Sequence, residues 1–186
     1  MDLLQQLRIQ ARANRLANHR LHAAMAPLTR EDFHAPRTSF FPSLGETLNH
    51  ILRVDIFYIA ALYREADMEA QYRRFVSCEN VAELAERQRT SDERLIAYCD
   101  ALLDADAPIE MDRGEGRVQR DRAGHVLAHL FMHQTHHRGQ AHAMLAGTSV
   151  KPPQLDEFLM PSDASYRVSD MAALGWSEAA VYGAPR

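Results

Sequence analysis

The run Ala128-His129-Leu130-Phe131-Met132-His133-Gln134-Thr135-His136-His137-Arg138-Gly139-Gln140 decides how the rest of the chain is read. With His125 just before it, four histidines (His125, His129, His133 and His137) recur at every fourth residue. On an α-helix four residues advance roughly 400°, so the four form one slowly turning stripe. Neighbours at this spacing lie about 5–6 Å apart at Cβ, and two such imidazoles can point their nitrogens at one cation. Buried imidazoles without partners are costly, so a run of them beside apolar neighbours needs an explanation. Neutral histidines bonded to carbonyls and carboxylates account for one or two. A metal accounts for the register of all four, and a further ligand is then expected from another helix.

Working outward, the helix that carries the stripe is expected from Asp121 or Arg122 to about Ala146. Val126, Leu127, Leu130, Phe131, Met144 and Leu145 supply its apolar contacts, Gly147 stands where it should end, and Lys151-Pro152-Pro153 forbids continuation. Before it, residues 108–120 break the helical rhythm. Ile109 to Asp112 and Arg117 to Arg120 alternate polar and apolar side chains around Gly114-Glu115-Gly116, which suggests a small hairpin lying on the helices.

Three more long helices precede the hairpin. Leu3, Leu4, Leu7, Ala11, Leu16, Leu21 and Met25 mark the first, ending near Pro27. His19 and His22 on it, and His34 in the connection from Thr29 to Pro42, are expected at the surface or in caps. Ser43-Leu44-Gly45-Glu46 has the pattern of a capping box and opens a second helix that continues to about Ala66. Its apolar flanks place His50 facing the interior or a cleft, as a hydrogen-bonded core residue or as a ligand. Phe75 to Cys78 reads as a short connection in which Cys78 can be exposed. Asn80-Val81-Ala82-Glu83 caps a third helix running through Leu84, Leu95, Tyr98 and Leu102, with Cys99 on its apolar side and a solvated Glu, Arg and Gln face. The tail from Leu155 to Arg186 should pack as short helical pieces, with Ser162 and Ser177 as caps. Four long helices with a polar stripe turned inward form an all-α four-helix bundle with a site in its core.

At 186 residues the chain is expected to be one domain over 1–186, a core of 1–148 with an extension of 149–186. The formal net charge of −4 argues against a nucleic-acid partner. No apolar run approaches the about 20 residues of a membrane span, and Met1 to Gln6 do not look like a signal peptide. Two cysteines make no disulfide scaffold and suit a reducing cytoplasm. The stripe has no glutamate of the kind found in a His-Glu-x-x-His protease helix and no Glu-x-x-His pair of a di-iron bundle. A mononuclear site with nitrogen ligands and an open position fits better, and zinc or nickel suits imidazole.

His133-Gln134-Thr135-His136-His137-Arg138-Gly139-Gln140, together with Leu48-Asn49-His50-Ile51 on the second helix, resembles the DinB family of DinB/YfiT-like metalloenzymes. The resemblance extends to the order of helices, the glycine-containing insertion and the run from Pro152 to Phe158. It implies an up-down-down-up four-helix bundle with a divalent metal held by three histidines, which the motif places at His50, His133 and His137. His129 is the reserve, a fourth ligand or a hydrogen-bond partner to one. His136 then points elsewhere, Gly139 allows close helix contact, and Arg138 and Gln140 are supporting polar groups. Relatives in the superfamily include thiol-dependent transferases and isomerases. The resemblance therefore implies a metal-dependent enzyme, transferase or hydrolase, acting on a small-molecule substrate with a low-molecular-weight thiol. The alternative is a non-catalytic, metal-stabilised, stress-related binding module. It also agrees with a homodimer. No acid–base residue is marked, although Glu46 and Asp55 lie near His50 in the chain.

Overall fold

The computed structural model describes residues 1–183. Four long helices build the body: α1 (Leu3–Met25), α3 (Leu44–Leu62), α5 (Val81–Ala101) and α6 (Ala123–Leu145). Two short helices, α2 (Arg30–His34) and α4 (Met68–Arg73), lie in the connections between them. Strands β1 (Pro108–Asp112) and β2 (Val118–Arg122) precede α6 as an antiparallel hairpin in which Ile109 stands opposite Asp121 and Met111 opposite Gln119. The tail adds a 3-10 turn (Pro161–Tyr166), α7 (Val168–Ala173) and α8 (Glu178–Tyr182). The last three residues of the tail, 184–186, lie outside the described residues. No described helix is long and apolar enough to cross a membrane.

Cross-helix contacts give the topology. On α1, Arg12 bonds Asp100 and Asn18 bonds Asp92, so α1 and α5 run antiparallel. Gln88 reaches Asp55, while Tyr63 just beyond α3 donates to the carbonyl of Arg94, so α3 and α5 run parallel. His50 meets His133 and His137 while Tyr58 meets His129, so α3 and α6 run antiparallel. The order is up-down-down-up. Two parallel neighbours need a long return, and the segment with α4 supplies it.

The core is apolar at both ends and polar in the middle. One end packs Leu7, Phe57, Leu62, Leu95, Leu127 and Leu130, with Ile109 and Met111 of β1 covering it. The other packs Leu21, Met25, Phe33, Leu48, Leu52, Leu84 and Leu145. Between them Asn14, Asn18, Asp55, Gln88, Asp92, Gln134 and Arg138, from all four long helices, are buried. The hairpin's alternation follows this packing, because Ile109 and Met111 point at the bundle and Glu110 and Asp112 at solvent. The tail lies along α1, where Leu16 and Ala17 meet Phe158, Met171 and Val181. Arg20 holds it there through Glu157 and Asp170.

Several expectations are corrected. The helix with His50 stops at Leu62, not Ala66, because Arg64 takes a positive φ of 57° and turns the chain. The Thr29–Pro42 connection contains α2, capped by a reciprocal Thr29–Asp32 pair that sequence inspection overlooked. α4 was likewise missed, since its six residues are too few to show a period. Ser177 caps α8, but Ser162 caps nothing and meets only Asp163. Cys78 is fully buried rather than exposed, its amide bonded to Asn49. Gly139 has open space where a Cβ would stand, so it does not mediate a close helix contact. α6 ends at Leu145 and Ala146 as expected, but Gly147 is absent from the residues with positive φ.

Candidate metal centre

Ser43 starts α3 by accepting from the amide of Glu46, which fixes where the first turn begins and so the direction of His50. α6 lies antiparallel beside α3 and presents His133 and His137, one turn apart. The three imidazoles converge. Ring centroids lie 5.0 Å apart for His50 and His133, 4.7 Å for His50 and His137, and 4.5 Å for His133 and His137. Nε2 of His50 and Nε2 of His133 face each other at 3.0 Å. One nitrogen from each of the three residues falls within 4.8 Å of the others.

This arrangement fits a divalent cation. Nitrogens that share one zinc at about 2.0–2.1 Å stand at most about 4.2 Å apart, so a small rotation of the rings brings all three into range. Among the described residues His133 has no hydrogen-bond partner but the ring of His50, so no carbonyl or carboxylate holds this imidazole as a merely structural histidine requires. His137 Nδ1 donates to Gln140 Oε1 at 2.8 Å, leaving Nε2 with its lone pair free to face the cluster. Burial pushes His133 down to about 3 and His50 down to about 4, with the neighbouring His137 adding to both, and burial also lowers His137. All three are therefore neutral donors at neutral pH. Phe41 closes one side, with its ring 4.5 Å from His50 and 5.6 Å from His137.

The stripe itself does not face inward as a whole. Each step of four overshoots a full turn by about 40°, and over three steps the stripe rotates out of the seam. His137 is buried, His133 half-buried, and His129 and His125 are exposed. His125 pairs with Asp121 at 2.9 Å. His129 stands apart from the trio, its ring 6.2 Å from that of His133 and 5.1 Å from that of Tyr58. His136 points away as expected and accepts from Gln140 Nε2 at 3.2 Å. His34 is exposed, consistent with the surface expectation, and bonds the carbonyl of Glu79. His22 is corrected. It is buried, and desolvation, with Arg15 and Arg138 near it, pushes it down to about 3.

Behind the imidazoles lies a network of which the sequence reading singled out only Arg138, as a supporting polar group. Arg138 donates to Asn14 Oδ1 at 2.7 Å and to Asn18 Oδ1 at 2.9 Å. Asn14 and Asn18 donate onward to Asp92, and Gln88 bridges Asp92 to Asp55. Burial raises Asp92 to about 6 and Asp55 to about 8, so Asp55 is a neutral acid within the core. Glu46 is exposed and takes no part. The signal was present. Asn14 and Asn18 share the seam of Leu7, Ala11 and Leu21, and Gln88 and Asp92 that of Leu84 and Leu95. Polar residues at core spacing are a buried layer rather than part of the solvated face expected for α5.

Comparison with known proteins places the chain in a family. A family model described as "DinB family" matches residues 5–167. A relative named "Protein DinB" from Bacillus subtilis (strain 168) is 23% identical over 150 residues, covering 77% of this chain and 87% of that protein.

Proposed function

This chain belongs to the DinB family, and from that premise we propose that it binds one divalent cation through His50, His133 and His137 and uses it to act on a small molecule. The observation that carries the reading is the convergence of three neutral imidazoles from two helices on one point. Zinc and nickel are the ions whose chemistry suits an all-imidazole set.

His50, His133 and His137 would hold such an ion without neutralising its charge, and the bound ion would supply the acidity of a thiol or a water that thiol-dependent transfer or hydrolysis requires. The chain's own residues do the rest. Gln140 fixes the tautomer and orientation of His137. Phe41 shields the face of His50 and His137 from bulk water. His133, alone of the three, lines a cavity open to the outside, which would bring a substrate to one side of the cluster. That opening favours the enzyme reading over a metal that serves stability alone, for which a sealed site would suffice.

The test is His137→Ala, with bound zinc and nickel determined by elemental analysis and turnover measured with thiol-conjugated substrates. The reading expects loss of stoichiometric metal and of turnover together, with the helical circular dichroism retained. Unchanged metal content in the variant contradicts the ligand assignment. Full turnover by metal-free protein contradicts the catalytic use.

A further inference from the structure

The cavity beside the imidazoles has a volume of about 370 Å³ and lies between α3, α4, the hairpin and α6. His133 stands at one part of its wall and Arg113, from the hairpin loop, at another. Tyr58 and His129 line the wall between them, the hydroxyl of Tyr58 accepting from Arg113 Nη2 at 3.0 Å and its ring lying edge-on to His129. Phe57, Tyr58 and Tyr72 make the remaining wall largely apolar.

Two acids and two arginines line this cavity, and they are engaged differently. Glu69 is engaged by Arg73, and Asp112 accepts from the amide of Gly114 at 2.8 Å. Among the described residues neither Asp112 nor Arg113 makes an ion pair, but Asp112 is engaged by that backbone amide. All side-chain hydrogen bonds of Arg113 go to neutral oxygens, those of Tyr58 and Gln119. Its guanidinium lies over the rings of Phe57 and Tyr58, at 4.7 and 5.3 Å from their centroids. Arg113 Nη1 makes no hydrogen bond among the described residues, so a half-buried guanidinium positioned by Tyr58 and Gln119 keeps one terminal amino group to offer an anion.

Resting on the metal reading above, we propose that this cavity is the substrate site and that its ligand is a small organic carboxylate with an apolar body. The acid group pairs with Arg113, the body lies along Phe57, Tyr58 and Tyr72, and the opposite end reaches His133 and its partners. Arg113 is thus a specificity-determining residue. The hairpin, whose Ile109 and Met111 cover one end of the core, also carries Arg113 to the cavity.

Three thiols of equal length separate the possibilities: 6-mercaptohexanoate, 6-mercaptohexan-1-ol and 6-aminohexane-1-thiol, titrated calorimetrically into the zinc-loaded full chain. The carboxylate is expected to bind about tenfold or more tighter than the alcohol, and the amine most weakly. Arg113→Gln should remove the preference for the carboxylate while leaving affinity for the alcohol unchanged. Tyr58→Phe, which returns one Nη2 N–H of Arg113 to the ligand, should strengthen the preference for the carboxylate and serves if the first variant unfolds. Equal affinity for the three probes overturns the proposal, as does a carboxylate preference that survives Arg113→Gln in folded protein. Failure of the metal reading is seen separately, as absence of zinc uptake by the wild-type chain. Hexanoate and hexylamine, titrated into the same metal-free protein, then still report the charge preference of Arg113.

Discussion

His137 donates through Nδ1 to Gln140, one turn along the same helix, and this bond selects which nitrogen faces His50 and His133. Removing such a support leaves the ligand in place but free to rotate or change tautomer. Gln140→Leu is therefore expected to weaken zinc affinity about ten- to a hundredfold in a competitive chelator titration, with the fold unchanged. Undiminished affinity would show that the bond is incidental. His22, outside the cluster, gives a second prediction at this scale. Its pKa is lowered from 6.5 to about 3 in the folded chain, so the unfolded chain binds its proton more readily between those values. Stability should fall as pH drops below about 6.5, and the loss should continue until about pH 3, where the folded state protonates too. His22→Gln cannot titrate and should lose less stability over this window, measured by urea unfolding at successive pH values. Identical slopes would contradict the burial of a neutral imidazole.

At the scale of elements, the bundle is two apolar halves joined through a polar layer, and that layer holds all four long helices in one register. Asn18 is its pivot, accepting from Arg138 of α6 and donating to Asp92 of α5. Truncation would leave buried polar atoms on two other helices unsatisfied, each costing about 1–3 kcal/mol. Asn18→Ala should therefore destabilise the protein by about 2–5 kcal/mol in urea unfolding, more than an exposed Asn→Ala change, which stays within about 0.5 kcal/mol. A loss under about 1 kcal/mol would mean that water replaces the side chain and the layer does not hold the register. The layer also places Arg138, and with it the adjacent His137, so a looser layer should lower metal affinity as well.

For the whole molecule, four helices and the hairpin were legible in the sequence for physical reasons that can be named, whereas the trio His50, His133 and His137 was singled out by its likeness to a family motif. The apolar periodicity of α1, α3, α5 and α6 is long enough to show a period, and Ser43 and Asn80 mark two helix starts through caps that the structure contains. The alternation in β1 survived because one face of that strand covers the bundle. What escaped was short or three-dimensional. α2 and α4 are five and six residues long, less than two turns each. The rotation of the histidine stripe out of the seam follows from helix geometry, yet four equal spacings looked like four equal roles. The buried layer was hidden because its members are polar and distributed over four helices, and Phe41 and Arg113 because both come from loops.

The account's central claim is that His50, His133 and His137 jointly bind one cation. X-ray absorption at the zinc edge of the zinc-loaded chain tests it most directly. The predicted spectrum has nitrogen at about 2.0–2.1 Å and the outer-shell multiple scattering of three imidazoles, one of which is lost on His50→Ala. A spectrum without imidazole scattering, or one that His50→Ala leaves unchanged, would contradict it.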